Sequence, residues 1–181
     1  MPVAQVLAVH LSPTHTFSKQ PQPQIHLLAK LGVQNDAHCG PTVRHRYLRR
    51  RKPAAPNLTQ VHLLAVEFLQ DLNRNGFDLH PGDLGENILT SAIDLVHLPV
   101  ATRLHLGPTA VVELTGLRTP CIQMNRLQPG LMAASFNLDT FGRKTPRSGV
   151  MAIVLNTGPV EPGHPIHIEL PPPPHHPLVP I

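Results

Sequence analysis

Short runs of apolar residues, each ended by proline or glycine, alternate with polar segments along the chain. The first run, from Val3 to Leu11, is rich in valine and leucine and stops at Ser12-Pro13, which is typical of a buried strand. The same pattern predicts strands at 58–64, 87–90, 102–106, 110–117, 150–156 and 165–170. We expect the last two strands to pair as a closing hairpin around Gly158-Pro159.

One segment has the periodicity of a helix instead. Its apolar residues are spaced i, i+3, i+4 and i+7, at Ala65, Phe68, Leu69 and Leu72, so they would form a stripe along one helix face. Asn75-Gly76 supplies a left-handed end to this helix. The segment 131–139 fits either a short helix or a strand. The prediction is therefore a mainly β fold with a few short helices.

Proline stands out in the composition. The chain has 22 prolines among 181 residues, about twice the typical share of roughly 5%. Each proline lacks a backbone donor and breaks the interior of a helix, which excludes a helical bundle. No internal repeat or shift in composition divides residues 1–170, so we expect one domain there. The remaining segment, PPPPHHPLVPI at 171–181, cannot join a central strand and is expected to lie extended on the surface.

Charge and targeting signals narrow the class of protein only slightly. The net charge of +4, with 13 histidines, favours anionic partners without choosing between nucleic acid, a membrane surface and a phosphorylated small molecule. No stretch reaches the roughly 18 apolar residues of a membrane span, and the first residues do not form a signal peptide. We therefore expect a cytoplasmic protein, not associated with a membrane, whose two cysteines, Cys39 and Cys121, are free thiols.

Cys121 is the first candidate for chemistry. It follows Thr119-Pro120 at the end of a predicted strand, and because proline cannot continue a β ladder, the chain turns there and can present the thiol at the rim of the sheet. Arg118 is near enough in sequence to stabilise a thiolate, which is the nucleophile of sulfur chemistry and a soft metal ligand. The alternative is that Cys121 is a small buried apolar residue, the commonest fate of a lone cysteine.

Two polar loops carry acids beside glycine or histidine. In Pro81-Gly82-Asp83-Leu84-Gly85-Glu86-Asn87-Ile88, the two glycines indicate left-handed backbone or close approach by another segment. Asp83 and Glu86 are candidates for acid–base work or for binding a cation, although acids in such loops more often satisfy loop amides. In Asp36-Ala37-His38-Cys39-Gly40, His38 is a candidate acid–base group or metal ligand, and an ordinary polar loop is the alternative. The histidines show no zinc-enzyme spacing.

A basic run from Arg44 to Lys52 admits three interpretations. Clustered arginines neutralise phosphates, which would suit nucleic acid, but only Tyr47 interrupts the run as an aromatic residue for base stacking. The run could instead attract a phosphate-bearing ligand, with arginine as a bidentate grip. The third interpretation is a solvated loop.

Together these segments resemble the MOSC domain family, named after the C-terminus of molybdenum-cofactor sulfurases. The resemblance covers roughly residues 3–170, which would make 1–170 the MOSC domain and 171–181 a proline-rich tail. The most specific matches are Pro81 to Ile88 and Leu117-Arg118-Thr119-Pro120-Cys121. The weaker matches are, in chain order, Gly32 to Gly40, Gln60 to Glu67, Ile93 to Pro99 and Arg103 to Gly107.

The resemblance implies a compact single-domain β-barrel that binds the molybdenum cofactor or handles sulfur for it. The cysteine matching Cys121 would be the molybdenum ligand or the sulfur carrier, with Asp83 and His38 as further catalytic candidates. The candidates for binding the cofactor are Gly85, Glu86 and Asn87 from the loop, and Arg44, Arg46 and Arg118, chosen for their charge, for its phosphate. No residue pattern supports pyridoxal phosphate.

Three hypotheses for the function follow. The first is a molybdenum-dependent oxidoreductase that acts on a small molecule, an N-hydroxylated compound as in some relatives, with electrons from a separate donor protein. The second is a sulfurtransferase in which Cys121 carries a persulfide delivered by a cysteine desulfurase. The third is a non-catalytic module that binds nucleic acid or another anion through the basic run. We rank them in this order.

Overall fold

The computed structural model describes residues 3–44, 50, 53–138 and 140–181. The helices with described bounds are α1 (Val66–Arg74), α2 (Gln123–Leu127) and α3 (Leu131–Ala134), and a 3₁₀ turn spans Leu95–His97. The prediction of a mainly β fold with a few short helices is confirmed. The strands are β1 (Gln5–Leu11), β2 (Gln20–Gln22), β3 (Ile25–Leu28), β4 (Gly32–Val33), β5 (Val61–Ala65), β6 (Ile88–Ser91), β7 (Arg103–Leu106), β8 (Ala110–Leu117), β9 (Phe136–Leu138), β10 (Lys144–Pro146), β11 (Val150–Asn156), β12 (Gly158–Val160) and β13 (Ile166–Glu169).

Eight strands form one sheet in the order β13-β7-β8-β11-β5-β6-β1-β2. The predicted barrel is wrong in one respect, because strand pairing within the described residues does not close this sheet. β1, the strand next to the edge strand β2, meets the segment before β13 at an isolated bridge between Gln5 and Pro165. On either side of this bridge the Val6 N–H donates to the His164 carbonyl at 2.9 Å and the Ile166 N–H donates to the Ala4 carbonyl at 2.8 Å. These contacts bring β1 near β13 without a regular strand pair between them.

Helix α1 crosses between the two parallel strands of the large sheet. β5 and β6 pair in parallel, a connection that needs a crossover segment, and α1 supplies it. The predicted apolar stripe is confirmed at Phe68, Leu69 and Leu72, which are buried, whereas Ala65 is the last residue of β5 and precedes the helix. These side chains pack in a cluster with Leu64, Leu84 and Met124 on one face of the sheet. A larger aliphatic cluster fills the other side.

Two local predictions need correction. The hairpin between 150–156 and 165–170 is wrong, because β11 pairs with β8 and β5 whereas β13 pairs with β7. β12 lies between them in sequence and pairs with β3 in a separate sheet. Gly158, the first residue of β12, packs directly on Ala110, where a side chain would not fit. The ambiguous segment 131–139 contains both α3 and β9.

The proline-rich segment 171–181 is tied to the domain at several points. Isolated bridges join Pro177 to Pro99 and Pro180 to Leu117. Leu178 is buried in the larger aliphatic cluster. The segment therefore lies against the domain, and the prediction of a surface segment needs correction at Leu178, which contributes to the core. No helix in the described ranges is both long enough and apolar enough to cross a membrane.

Candidate functional site

A cavity of about 420 Å³ lies beside the end of β8 and the first residues of β5 and β11. No aspartate or glutamate is among its described lining residues, which include two basic side chains and one thiol. The apolar members are Phe17, Leu84, Met151 and Ile181, and the others are Lys19, His38, Thr59, His62, Gly85, Asn87, Arg118, Thr119 and Cys121. The cavity is therefore suited to a small anionic ligand with an apolar part.

A second cavity, of about 450 Å³, lies beside α1. An ion pair between Arg147 and Asp71 at 2.7 Å crosses it, and Arg147 also stacks 5.1 Å from the centre of the Phe68 ring. None of the residues that the sequence singled out for chemistry lines it. The first cavity is therefore the candidate site.

The end of β8 delivers Arg118 to the cavity. The Arg118 N–H donates to the Gly149 carbonyl at 3.0 Å, and the Ser148 hydroxyl donates to the Arg118 carbonyl at 3.0 Å. Its guanidinium lies 5.5 Å from the centre of the Phe17 ring and forms no ion pair with a carboxylate of the described residues. Burial lowers the pKa of Arg118, against the influence of Cys121 and Glu86, but arginine remains protonated in proteins. This cation is available to an anion in the cavity.

Cys121 lines the same cavity and is half-buried. The hydrogen bond recorded for its thiol in the described part of the chain is a long contact, 3.9 Å from Sγ to the Gln123 Oε1. This position favours a reactive thiol over a small buried apolar residue. Cys39 is also half-buried but does not line the cavity, and burial, followed by the charge of Asp36, raises its pKa.

Gly82 and Gly85 allow the segment carrying Phe17 and Lys19 to form one wall. Both glycines have left-handed backbone, with φ of +90° and +78°. A Cβ on Gly82 would lie 2.5 Å from the Lys19 carbonyl oxygen, and a Cβ on Gly85 would collide with the Phe17 carbonyl oxygen. The two explanations offered for these glycines, left-handed backbone and close approach, are both confirmed.

Asp36 is the centre of a buried polar network behind the cavity. Its Oδ2 accepts from Lys19 Nζ at 2.6 Å, Asn87 Nδ2 at 3.1 Å and the Ser12 N–H at 3.2 Å. Its Oδ1 accepts from the His38 N–H at 2.9 Å and lies 3.2 Å from His38 Nδ1. Burial opposes ionisation of Asp36, but these contacts outweigh it and hold its pKa well below the usual range. The network fixes three lining residues relative to one another.

For two histidines of the cavity, the acceptor that each ring faces shows which ring nitrogen donates a hydrogen bond. His62 is buried and its Nε2 lies 2.9 Å from the Ser148 carbonyl oxygen, which can only accept, so Nε2 carries the proton. Burial, reinforced by the charge of Arg118, lowers the pKa of His62 to about 3, and the ring is neutral at pH 7. His38 Nδ1 faces the Asp36 carboxylate, which can only accept, and therefore donates to it.

The two acids of the glycine loop do not line the cavity. Asp83 Oδ2 accepts from the His80 N–H at 2.8 Å, and Glu86 Oε1 accepts from the Gly82 N–H. Both therefore satisfy loop amides, the alternative considered for them. Glu86 is fully buried, and no partner for its Oε2 occurs among the described residues. Burial raises the pKa of Glu86 to about 7, against the Gly82 hydrogen bond.

We expect stability to depend on pH through Glu86. Between its unfolded pKa near 4.5 and its folded pKa of about 7, the native chain holds a proton that the unfolded chain has lost, so this group's contribution to stability falls as pH rises. Glu86→Gln keeps the accepting oxygen and removes the titration. Relative to the wild type, the variant should gain up to about 3 kcal/mol between pH 4.5 and 8.

Urea unfolding at several pH values measures this difference. His10 and His62 have lowered pKa values and act in the opposite direction, but they are common to both proteins and cancel in the comparison. Glu113→Gln, at a carboxylate paired with Arg103, is the matched control for the loss of a glutamate charge. A Glu86→Gln difference that does not change with pH would contradict the assignment.

The other two arginines proposed to bind the cofactor, Arg44 and Arg46, are not among the described residues that line the cavity. Arg44 does not line the cavity, and its side chain covers Gly40, where an added Cβ would lie 2.6 Å from Arg44 Nη2. Its Nε is buried without a partner among the described residues. Arg46, and most of the basic run with it, lies outside the described residues. Of the proposed site residues, the cavity therefore brings together Cys121, His38, Arg118, Gly85 and Asn87.

Several lining residues carry no recognisable signal in the sequence. Lys19 and Phe17 belong to a polar, proline-containing loop. Nothing in the sequence of that loop indicates that its backbone packs against Gly82 and Gly85. Ile181 belongs to the proline-rich tail. His62 stands within a strand segment that matches the family, and its burial could have been inferred from its apolar neighbours, but its place in the cavity depends on the pairing of β5 with β11.

Comparisons with known proteins agree with this fold. The YuaD protein from Bacillus subtilis superposes with a TM-score of 0.74 at 22% identity, over 94% of this chain and 98% of that one. YiiM from Geobacillus stearothermophilus gives 0.62 at 18%, over 92% and 75%. YiiM from Escherichia coli gives 0.63 at 16%, over 95% and 72%.

The family is settled by the sequence itself. A search of curated proteins finds no match to this chain. The family description of the MOSC domain matches residues 36–167, which include the glycine loop, Arg118 and Cys121. The chain therefore belongs to the MOSC domain family.

Proposed function

We propose that this protein binds the molybdenum cofactor in the cavity, with Cys121 Sγ as the protein ligand to molybdenum. The proposal depends chiefly on one observation, that Cys121 lines the same cavity as Arg118, which has no carboxylate partner among the described residues. A thiolate is a soft ligand suited to a thiophilic metal. A guanidinium is the side chain best suited to bidentate contact with phosphate.

The residues present fit such a group. Among the described residues no cluster of three or more histidines, cysteines or acids could hold a metal ion. A metal bound to Cys121 would therefore have to bring most of its ligands with it, as a cofactor-bound metal does. The cavity volume of about 420 Å³ is within the range of small-molecule sites.

Arg118, rather than Lys19, is the proposed phosphate contact. Lys19 is buried and already compensated by Asp36 at 2.6 Å, so an added anion would gain little from it. Arg118 is partly buried, and its neighbours are the aromatic ring of Phe17 and the thioether of Met124. A phosphate would give this cation the counter-charge that it lacks in the described structure.

We propose that the reaction is the reduction of an N-hydroxylated small molecule. Cleavage of the N–O bond to give N–H and water consumes two electrons and two protons, and the bound cofactor would supply two-electron redox chemistry. The electrons would come from a separate donor protein. His38 is the proposed proton donor, because it lines the cavity and Asp36 fixes its ring through Nδ1, which leaves Nε2 for the proton transfer.

Molybdenum content is the direct test. After expression in a host that makes the cofactor, mass spectrometry should find molybdenum in the wild type and background levels in Cys121→Ala. Arg118→Met should lower cofactor affinity about 10- to 100-fold, the range expected for the loss of hydrogen bonds to a charged group. Cys39→Ala removes the other thiol, which lies outside the cavity lining, and should leave the content unchanged. Equal molybdenum in wild type and Cys121→Ala would reject the proposal.

Sulfur transfer is the second candidate, favoured by the partial exposure of Cys121 at the cavity. A sulfur donor such as a cysteine desulfurase could then reach the thiolate, which would carry the sulfur as a persulfide. In this case intact-mass measurement of molybdenum-free protein would show one added sulfur on Cys121 and none in Cys121→Ala. Finding that adduct without molybdenum in any preparation would favour this function over the first.

A further inference from the structure

The last residues of the chain form one wall of the candidate site. We call residues 176–181 the strap. It is anchored by hydrogen bonding of the Val100 N–H to the His176 carbonyl at 2.9 Å and by burial of Leu178 in the aliphatic core. These contacts hold the strap beside β8 rather than in solvent.

The strap ends directly beside the residues that precede Cys121. The Leu117 N–H donates to the Val179 carbonyl at 2.8 Å, and the Ile181 N–H donates to the Leu117 carbonyl at 3.1 Å. The Thr119 hydroxyl donates to the main-chain oxygen of Ile181 at 3.1 Å. Ile181 thereby becomes part of the cavity lining.

Gly116 provides the space for this arrangement. Its φ is not in the left-handed region, so its backbone does not require glycine. A Cβ there would lie 2.6 Å from the Ile181 Cγ2 and 2.7 Å from the Val179 carbonyl oxygen. The absence of a side chain at 116 therefore serves the strap.

A row across three strands connects the strap to the buried end of the cavity. Met151 of β11 is paired with His62 on one side and with Gly116 on the other, and cross-strand partners share a face of the sheet. Ile181 covers Gly116, the cross-strand partner of Met151, and both Ile181 and Met151 line the cavity. Along this row the lining is a neutral imidazole at His62 and becomes apolar at Met151 and Ile181.

We propose that Met151 and Ile181 form an apolar specificity subsite next to Cys121, and that the strap sets the largest substrate group that can reach the thiol. The substrate class would be small molecules with a polar reacting end and a compact apolar group. This inference rests on the proposed function in taking Cys121 as the reacting centre. It does not require the cofactor to be bound.

Thiol alkylation tests the subsite without the cofactor. In a Cys39→Ser background Cys121 is the only cysteine, and its rates with N-methylmaleimide and N-phenylmaleimide compare two reagents of the same chemistry and different size. Ile181→Ala should raise the ratio of the phenyl to the methyl rate about tenfold, the lower end of what a change in an apolar pocket produces. Ile181→Trp should lower the ratio.

Val179→Ala is the matched control, because Val179 belongs to the strap but does not line the cavity, and its ratio should equal that of the background. Gly116→Ala, which displaces the strap from beneath, should change the ratio in the direction of Ile181→Ala. Ratios for both Ile181 variants within twofold of the background would overturn the proposal. Molybdenum content is measured separately, so failure of the cofactor assignment and failure of the subsite remain distinguishable.

Discussion

Asp36→Ala should destabilise the protein by about 3–5 kcal/mol, the range for breaking a buried ion pair by removing one partner. Lys19 is only 7% exposed and Asp36 only 6%, so the ammonium would remain buried without its counter-ion at 2.6 Å. The substitution also removes the acceptor for Asn87 Nδ2 and for the His38 N–H. Urea unfolding at pH 7 measures the loss.

The exposed pair between Asp94 and His97, 2.8 Å apart, provides the control. Asp94→Ala should cost less than about 1 kcal/mol, because solvent screens such pairs. Adding Lys19→Met to Asp36→Ala should restore part of the stability, since the double variant no longer buries an isolated charge. If Asp36→Ala costs no more than Asp94→Ala, the network is not the structural centre described above.

Gly85→Ala should have the second large effect, on both stability and the cavity. A side chain in left-handed backbone costs about 1–2 kcal/mol, and crowding of a packed region adds about 1–3 kcal/mol. The added methyl group would push the Phe17 carbonyl away, and with it the ring that lies against Arg118. We therefore expect a loss of about 3 kcal/mol in urea unfolding, together with reduced molybdenum content.

Gly76→Ala separates the two contributions. Gly76 also has left-handed backbone, with φ of +94°, but nothing lies within 4 Å of the position of an added Cβ. This variant should show the backbone cost alone, about 1–2 kcal/mol, and unchanged molybdenum content. Equal losses in the two variants would mean that the close approach to Phe17 contributes nothing.

The strands and the glycine loop were accessible to sequence reasoning because their signals are local. Alternation of apolar runs with proline located the buried strands, and β8 and β11 were predicted with their observed bounds. The glycine loop was predicted to need an unusual backbone or a close neighbour, and both occur at Gly82 and Gly85. The positions of Arg118 and Cys121 followed from the predicted end of β8, which directly precedes them.

The parts that were missed depend on pairing between distant segments. Nothing near Lys19 shows that its ammonium lies against Asp36, 17 residues later, in a buried position. The wrong hairpin of β11 with β13 came from proximity in sequence, whereas β13 finds its partner in β7. The closed barrel was expected from the family resemblance, whereas β1 and the segment before β13 meet at an isolated bridge between Gln5 and Pro165 and not in a regular strand pair.

The dispersed origin of the cavity has a practical consequence. Its lining comes from seven stretches spread from Phe17 to Ile181, so the binding surface is assembled only when nearly the whole chain is folded. A compound that occupies it must favour the native state over the unfolded state, by about 2.7 kcal/mol at a concentration 100 times its Kd. Thermal-shift screening of small anions can therefore identify ligands before any assay for turnover is available.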